Sequence, residues 1–447
     1  MQGRRPRHPR GEEPALSSRQ ERPLQSVKGT RDLLPPETAV WAAVEETARQ
    51  VFGRYGYGEI RTPLLEDSEL FVRTVGETTD IVGKEMYVFA DRKGRRLALR
   101  PESTAAVARA YIEHGLQERP SPLRLFYIGP HFRYERPQKG RYRQFHQIGA
   151  ELLGSAEPLA DAELLLMLLR FLRELGFEAP SVLLNTVGDE STRREFREAL
   201  RAFLEPRRSA LGEDSRRRLE VNPLRILDTR DPAERALLEA APRIEDHLSE
   251  ASRAHFAAVR EALDRFGVSY RVEASLVRGL DYYSDTVFEI AAGGLGAQDA
   301  IVGGGRYDRL IAGLGGPEVP GVGFAIGEDR LLEVLPEPFR RRVAPAAPLV
   351  VAAVGEVSPG EALRAAEALR DQGVATVADL AGRPPRAVLK RADRVGAPAV
   401  VLLGEAELAA GDWTIKNLAD GEQRRLPESE AIADLAARYR GAGRGDR

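Results

Sequence analysis

The 447-residue chain contains no cysteine. That absence removes disulfide frameworks, cysteine zinc sites, thiolate nucleophiles and iron–sulfur ligation together, and it fits an intracellular, cytoplasmic protein. No apolar run approaches the ~18 residues that a membrane-spanning helix needs, so no membrane partner is expected. Histidine is scarce: six residues, with no H-E-x-x-H and no i,i+4 pair. No metal site built from side chains is therefore expected. The absence of G-x-x-x-x-G-K-[ST] excludes a P-loop ATPase. A dominant charge is missing too, since 66 Lys+Arg stand against 68 Asp+Glu, so any nucleic-acid binding must use local basic patches. What is present, 43% hydrophobic and 30% charged residues, is a globular composition, and the length argues for about three domains.

Residues 1–25 stand apart, with Arg4, Arg5, Arg7 and Arg10 among prolines and few large apolar side chains. A disordered basic tail is the expectation. An RNA-touching arm and an organelle transit segment are the alternatives, the latter weakened by Glu12 and Glu13. Pro35-Pro36-Glu37 opens a helix whose apolar stripe includes Trp41, Val44, Ala48, Val51 and Phe52. Residues 60–65 read as a strand that Pro63 confines to an edge or interface. Over 123–153 the pattern predicts two long strands around a polar loop at 136–141. Residues 189–268 are rich in Arg, Glu and helix formers, broken at Pro206, Pro223, Pro232 and Pro242, and read as a helical insertion. It would divide an α+β body of mixed strands and flanking helices, 26–188 and 269–335. A linker at 336–344 precedes residues 345–447, whose alternating strands and helices predict a separate, mostly parallel α/β domain.

The 123–153 hairpin carries the most chemistry. Successive strand side chains point to opposite faces. One face collects Arg133, Glu135, Arg143, Phe145, Gln147, Gly149 and Glu151, while Ile148, Ala150 and Leu152 suit burial on the other. Such a face could hold a polar substrate or be a solvated surface with cross-strand ion pairs. Gly303-Gly304-Gly305 after a short apolar strand would let backbone approach a ligand, or would form a tight turn. Residues 321–327 imitate a dinucleotide fingerprint, but the glycine spacing is one residue too long and no good strand precedes it. Glycines before a helix carrying Arg330 remain compatible with a nearby phosphate. Arg278-Gly279-Leu280-Asp281-Tyr282-Tyr283 brings an arginine beside two phenols.

In one order along the chain stand Lys28-Gly29-Thr30-Arg31-Asp32, the Pro63 strand and Phe132-Arg133-Tyr134-Glu135-Arg136-Pro137. Arg141–Gln147, residues 278–283, 300–308 and 321–330 follow in turn. This series resembles the histidyl-tRNA synthetases, a family of class II aminoacyl-tRNA synthetases, from about Val27 to Tyr439. The resemblance implies a catalytic domain on a six-stranded antiparallel sheet, a helical insertion and a C-terminal α/β anticodon-binding domain. It implies a homodimer joined through the first helix and the proline strand. The implied reaction joins L-histidine and ATP into histidyl-adenylate and pyrophosphate, then moves histidine to tRNA(His).

By the same resemblance Arg133 and Arg278 are catalytic, gripping the α-phosphate from two sides. Arg141 and Arg330 address the outer phosphates, Phe145 stacks under adenine, and Glu135 accepts from its amine. Glu102, Thr104 and Gln147 meet the substrate amino group; Glu151 and Tyr283, with Arg278 and Tyr282 nearby, meet the side chain. Mg²⁺ is expected to bind mainly through the ATP phosphates. The loop residues Arg136, Gln138 and Lys139 would touch the tRNA acceptor end, and Lys390, Arg391 and Arg394 the anticodon, although solvated surface charge would look the same. Ser103 stands where the family usually has glycine. A regulatory paralogue serving ATP phosphoribosyltransferase is the rival; it generally lacks the anticodon domain.

Overall fold

The computed structural model describes residues 24–76, 79–136, 140–227, 229, 231–276, 280, 282–292 and 300–440. Most of the basic tail (1–23), and Gln138, Lys139 and Arg278 among the candidate residues, lie outside the described residues. The first helix is Glu37–Arg54, burying Trp41, Val44, Ala48, Val51 and Phe52 and ending before Gly56, whose φ of +79° a side chain would strain. The expected strand over 60–65 does not form. Pro63 cannot donate to a ladder, and the chain instead makes two short strands, Gly58–Glu59 and Leu65–Asp67, that join different sheets.

The main sheet differs from the expected six antiparallel strands: it has eight and is mixed. Its order is Gly58–Glu59, Leu123–Phe132, Gln144–Leu153, Gly321–Gly327, Ala300–Arg306, Ser284–Ala291, Ser181–Thr186 and Tyr270–Val272. The six inner strands run antiparallel, and the short strand at each edge pairs parallel. Each edge strand meets its neighbour through a long crossover, the connection parallel pairing requires.

One face of this sheet is the core. Ile148, Leu152, Val322, Phe324 and Ile326 pack there against Phe52, Leu164, Leu168 and Phe171. Phe52 centres an aromatic cluster, 5.6 Å from Phe126 and Phe171 and 5.8 Å from Phe324. Burying each such side chain contributes about 1.5–3 kcal/mol. The helix Glu250–Arg265 adds Phe256, Val259 and Leu263 to this same core. Beneath it Arg306 is wholly buried, its guanidinium paired with Asp161 and donating to Ser155 O (2.9 Å) and Asp308 Oδ1 (3.0 Å). Burial opposes ionisation of Asp161, yet hydrogen bonds from His255 and Arg306 hold its pKa below the ordinary value.

The other face is built differently. In Gly321–Gly327 the residues alternating with Val322, Phe324 and Ile326 are Gly321, Gly323, Ala325 and Gly327. Their neighbours in Ala300–Arg306 on that face include Gly303 and Gly305. The glycine clusters, the first expected to approach a ligand or form a tight turn and the second to precede a helix, are therefore central strands with one face of almost bare backbone. A Cβ on Gly323 would lie 1.7 Å from Glu151 Oε2, on Gly321 2.4 Å from the Tyr307 ring, and on Gly305 2.9 Å from that of Tyr283.

Residues 349–427 form a second, five-stranded sheet in the order Thr376–Ala378, Leu349–Ala353, Ala399–Leu403, Asp412–Asn417, Gln423–Pro427. Its first three strands are parallel, but an antiparallel hairpin completes it, which the strand–helix alternation did not reveal. Trp413 from that hairpin is fully buried with Val351, Leu369 and Leu435. Among the described residues no helix is long and apolar enough to cross a membrane.

Gly323→Ala is expected to destabilise the protein by about 1–3 kcal/mol through overpacking against Glu151. Gly53→Ala, in the first helix with no atom within 4 Å of the new methyl group, should stabilise by about 0.5–1 kcal/mol. Thermal midpoints of the two variants compared with the parent check both signs.

Candidate active site

The polar loop of the hairpin is longer than its expected 136–141, because the strands end at Phe132 and resume at Gln144. The extra residues hold the loop base in place. Arg133 Nε donates to Pro101 O at 2.9 Å, Arg143 N donates to Gly29 O at 2.7 Å, and the Arg143 guanidinium lies 3.8 Å from the Tyr134 ring centroid. Gly140 returns the chain at φ +69°, against the Arg330 side chain.

These elements enclose a cavity of about 760 Å³. Arg133, Glu135, Arg141, Phe145, Gln147 and Arg330 all line it, together with Gly303 and Gly327 of the bare face. Glu135 sits between two cations, 3.3 Å from Arg141 and 3.9 Å from Arg133. The Arg133 guanidinium is 5.4 Å from the centre of the Phe145 ring. Three guanidinium groups around one aromatic platform suit a polyphosphate attached to a flat base. Arg31 steadies the rim: it donates to Asp329 (3.0 Å) and Glu37 (3.2 Å) and covers Tyr142.

Further along the same strand face lies a smaller, deeper cluster. Glu151 is 1% exposed; Oε1 accepts from Thr104 Oγ1 at 2.8 Å, and Oε2 accepts from the Tyr307 hydroxyl. Burial lifts the Glu151 pKa to about 8, outweighing the hydrogen bonds from Tyr307 and Thr104 that favour its charge. Glu102 is buried beside it, each oxygen accepting a backbone N–H of the Thr104–Glu113 helix start, from Thr104 (2.7 Å) and Ala105 (3.0 Å). Burial raises its pKa also. The rings of Tyr282 and Tyr283 sit 4.8 Å apart, and Tyr282 meets Tyr307 edge-on at 5.7 Å. An aromatic cluster around a buried carboxyl group suits recognition of a small heterocycle with an N–H donor.

The described ATP- and histidine-site candidates thus fall into two adjoining groups, one around the cavity and one around Glu151. Tyr307 and Tyr127 were missed. Tyr307 follows directly on the glycine run, and Tyr127 lies across from Gly149, where a Cβ would meet its ring at 2.3 Å; glycines opposite aromatics were the available signal. His146 packs edge-on to Trp41 at 5.1 Å. Arg136 is exposed at the loop, and Lys390, Arg391 and Arg394 are exposed on the Pro385–Arg394 helix, whose other side buries Val388 and Ala392.

The family described as Histidyl-tRNA synthetase matches residues 29–331, and that described as Anticodon binding domain matches 349–438. The chain belongs to the histidyl-tRNA synthetase family. A histidine–tRNA ligase of Synechococcus elongatus is 49% identical over 412 residues, spanning 92% of this chain and 94% of its own length. One from Rubrobacter xylanophilus is 48% identical over 411 residues, spanning 89% and 96%. The solved apo histidyl-tRNA synthetase of S. aureus aligns with a TM-score of 0.77 at 34% identity, covering 92% of this chain and 100% of that one.

The raised pKa of Glu151 makes this synthetase fold less stable as pH rises. Between the ordinary carboxylate range and about 8 the folded protein holds a proton that the unfolded chain has released, so that contribution is lost with rising pH. Glu151→Gln should therefore lose less thermal stability than the parent between about pH 5 and about pH 8; an equal loss in both proteins counts against the shift.

Proposed function

We propose that this synthetase activates L-histidine with ATP, releasing pyrophosphate, and then transfers histidine to the 3′ end of tRNA(His). The observation that carries the reading is the continuity of one sheet face. It joins a cavity ringed by Arg133, Arg141 and Arg330 to a buried carboxylate held by Thr104 and Tyr307.

In the first step a histidine carboxylate oxygen attacks the α-phosphorus; that O–P bond forms as the bond to the β-phosphate oxygen breaks. The protein's share is positioning and charge neutralisation. Arg133 and Arg278 serve the α-phosphate, Arg141 and Arg330 take the outer phosphates, Phe145 stacks on adenine, and Glu135 accepts from its amine. Glu151 receives the imidazole N–H, with Tyr283 serving the other ring nitrogen. Glu102, Thr104 and Gln147 address the amino group, with Tyr282 walling the pocket. Mg²⁺ arrives on ATP and supplies positive charge; Glu289, which lines the cavity, is an oxygen donor of the kind it takes. In the second step the terminal ribose hydroxyl attacks the acyl carbon and AMP leaves.

The finer assignments belong to the same reading. The chain divides into a catalytic body at 26–188 and 269–335, an insertion at 189–268, a linker at 336–344 and an anticodon-binding domain at 345–447. Arg136, Gln138 and Lys139 meet the acceptor end, and Lys390, Arg391 and Arg394 the anticodon. A cytoplasmic homodimer joined through the first helix and the proline segment fits the adjoining small sheet of Leu65–Asp67, Arg96–Leu99 and Val88–Ala90, where Leu65 and Phe89 are exposed on one face.

Pyrophosphate–ATP exchange assayed with each of the twenty amino acids should require histidine, and Arg133→Ala should lower it by about 10²–10³. Exchange with a different amino acid would sink the substrate assignment, and none at all would point to a regulatory subunit. Phe89→Glu should shift the mass seen by light scattering from dimer to monomer; an unchanged mass places the interface elsewhere.

A further inference from the structure

Ser103 lies between Glu102 and Thr104, and its side chain has a partner of its own. Its Oγ is 2.7 Å from His131 Nε2, and both residues are fully buried. His131 Nδ1 lies 3.0 Å from Gly129 O. A carbonyl oxygen can only accept, so Nδ1 carries the proton, Nε2 is the acceptor, and the Ser103 hydroxyl donates. Burial, then the charges of Arg100 and Arg133, keep His131 neutral, consistent with one fixed tautomer. The imidazole is the direct cross-strand partner of Phe145, and the rings stack at 5.9 Å with 30° between their planes.

From this chain of contacts we propose that Ser103 is a positioning residue for the nucleotide: through His131 it fixes the ring of Phe145 on which adenine stacks. The inference rests on the reading of the cavity as the ATP site. It joins the residue before the Thr104–Glu113 helix to the platform under the base. Without the hydroxyl, a buried imidazole nitrogen loses its only described donor, and the ring behind Phe145 is free to rotate.

The test is histidine-dependent pyrophosphate–ATP exchange by Ser103→Ala, Phe145→Leu and the double variant. Ser103→Ala should raise the KM for ATP about five-fold, the worth of one buried hydrogen bond, and leave kcat and the KM for histidine within about two-fold. In the Phe145→Leu background the same change should add nothing, because the platform through which it acts is gone. Ser103→Gly, which also lacks the hydroxyl, serves if Ser103→Ala fails to fold. Equal rises in both KM values, or a full additional effect beside Phe145→Leu, would overturn the proposal and reduce Ser103 to a packing residue. An unchanged ATP KM in Ser103→Ala, with a raised one in Phe145→Leu, overturns it while sparing the cavity reading. An unchanged ATP KM in Phe145→Leu overturns both.

Discussion

The site depends on a carboxylate occupying space that the neighbouring strand leaves open. Glu151 lies against Gly323 so closely that any side chain there would enter its oxygen. The same relation recurs at Gly321 with Tyr307, at Gly305 with Tyr283 and at Gly149 with Tyr127. Glycine in a strand interior weakens it by removing packing and adding chain entropy. Here that cost is offset on the opposite face, where Val322, Phe324 and Ile326 fill the core. One strand therefore does two jobs by alternation: bulky residues anchor it and bare backbone floors a pocket.

The electrostatics follow from depth. At the open end of the face, arginines meet solvent and one another's carboxylate partners, and their charge remains available to a phosphate. At the closed end, Glu151 and Glu102 are desolvated, which raises their pKa values and strengthens each hydrogen bond they make. A ligand carrying negative charge at one end and an N–H donor at the other is matched to this gradient. Arg306 and Asp161, buried on the core side directly behind Tyr307, show how a charged pair can be structural: all its partners are protein atoms, and breaking it would leave an unpaired buried ion.

Much of this was legible in the residues themselves. The first helix, the hairpin and its two faces, and Phe145, Gln147 and Glu151 on one side all followed from period-two and period-3.6 patterning. The glycine strands did not. Gly321-Val322-Gly323-Phe324-Ala325-Ile326-Gly327 alternates as strictly as any strand, but glycine signals turns so strongly that the alternation was hidden beneath it. The hairpin Asp412–Asn417 with Gln423–Pro427 was hidden by polar, exposed residues on its outer strand.

The order of side chains along each strand was a property of the sequence alone, because the two faces of an extended chain are set by covalent geometry. It determined that Phe145, Gln147 and Glu151 share a face, and the ordered motifs determined the family. Only the folded chain decided the sheet's eight-strand order. That order sets Gly323 beside Glu151 and brings Tyr307 to its carboxylate. These contacts join residues far apart in sequence, and they arise from which strand edges pair, a choice made by packing of the whole core rather than by any local pattern.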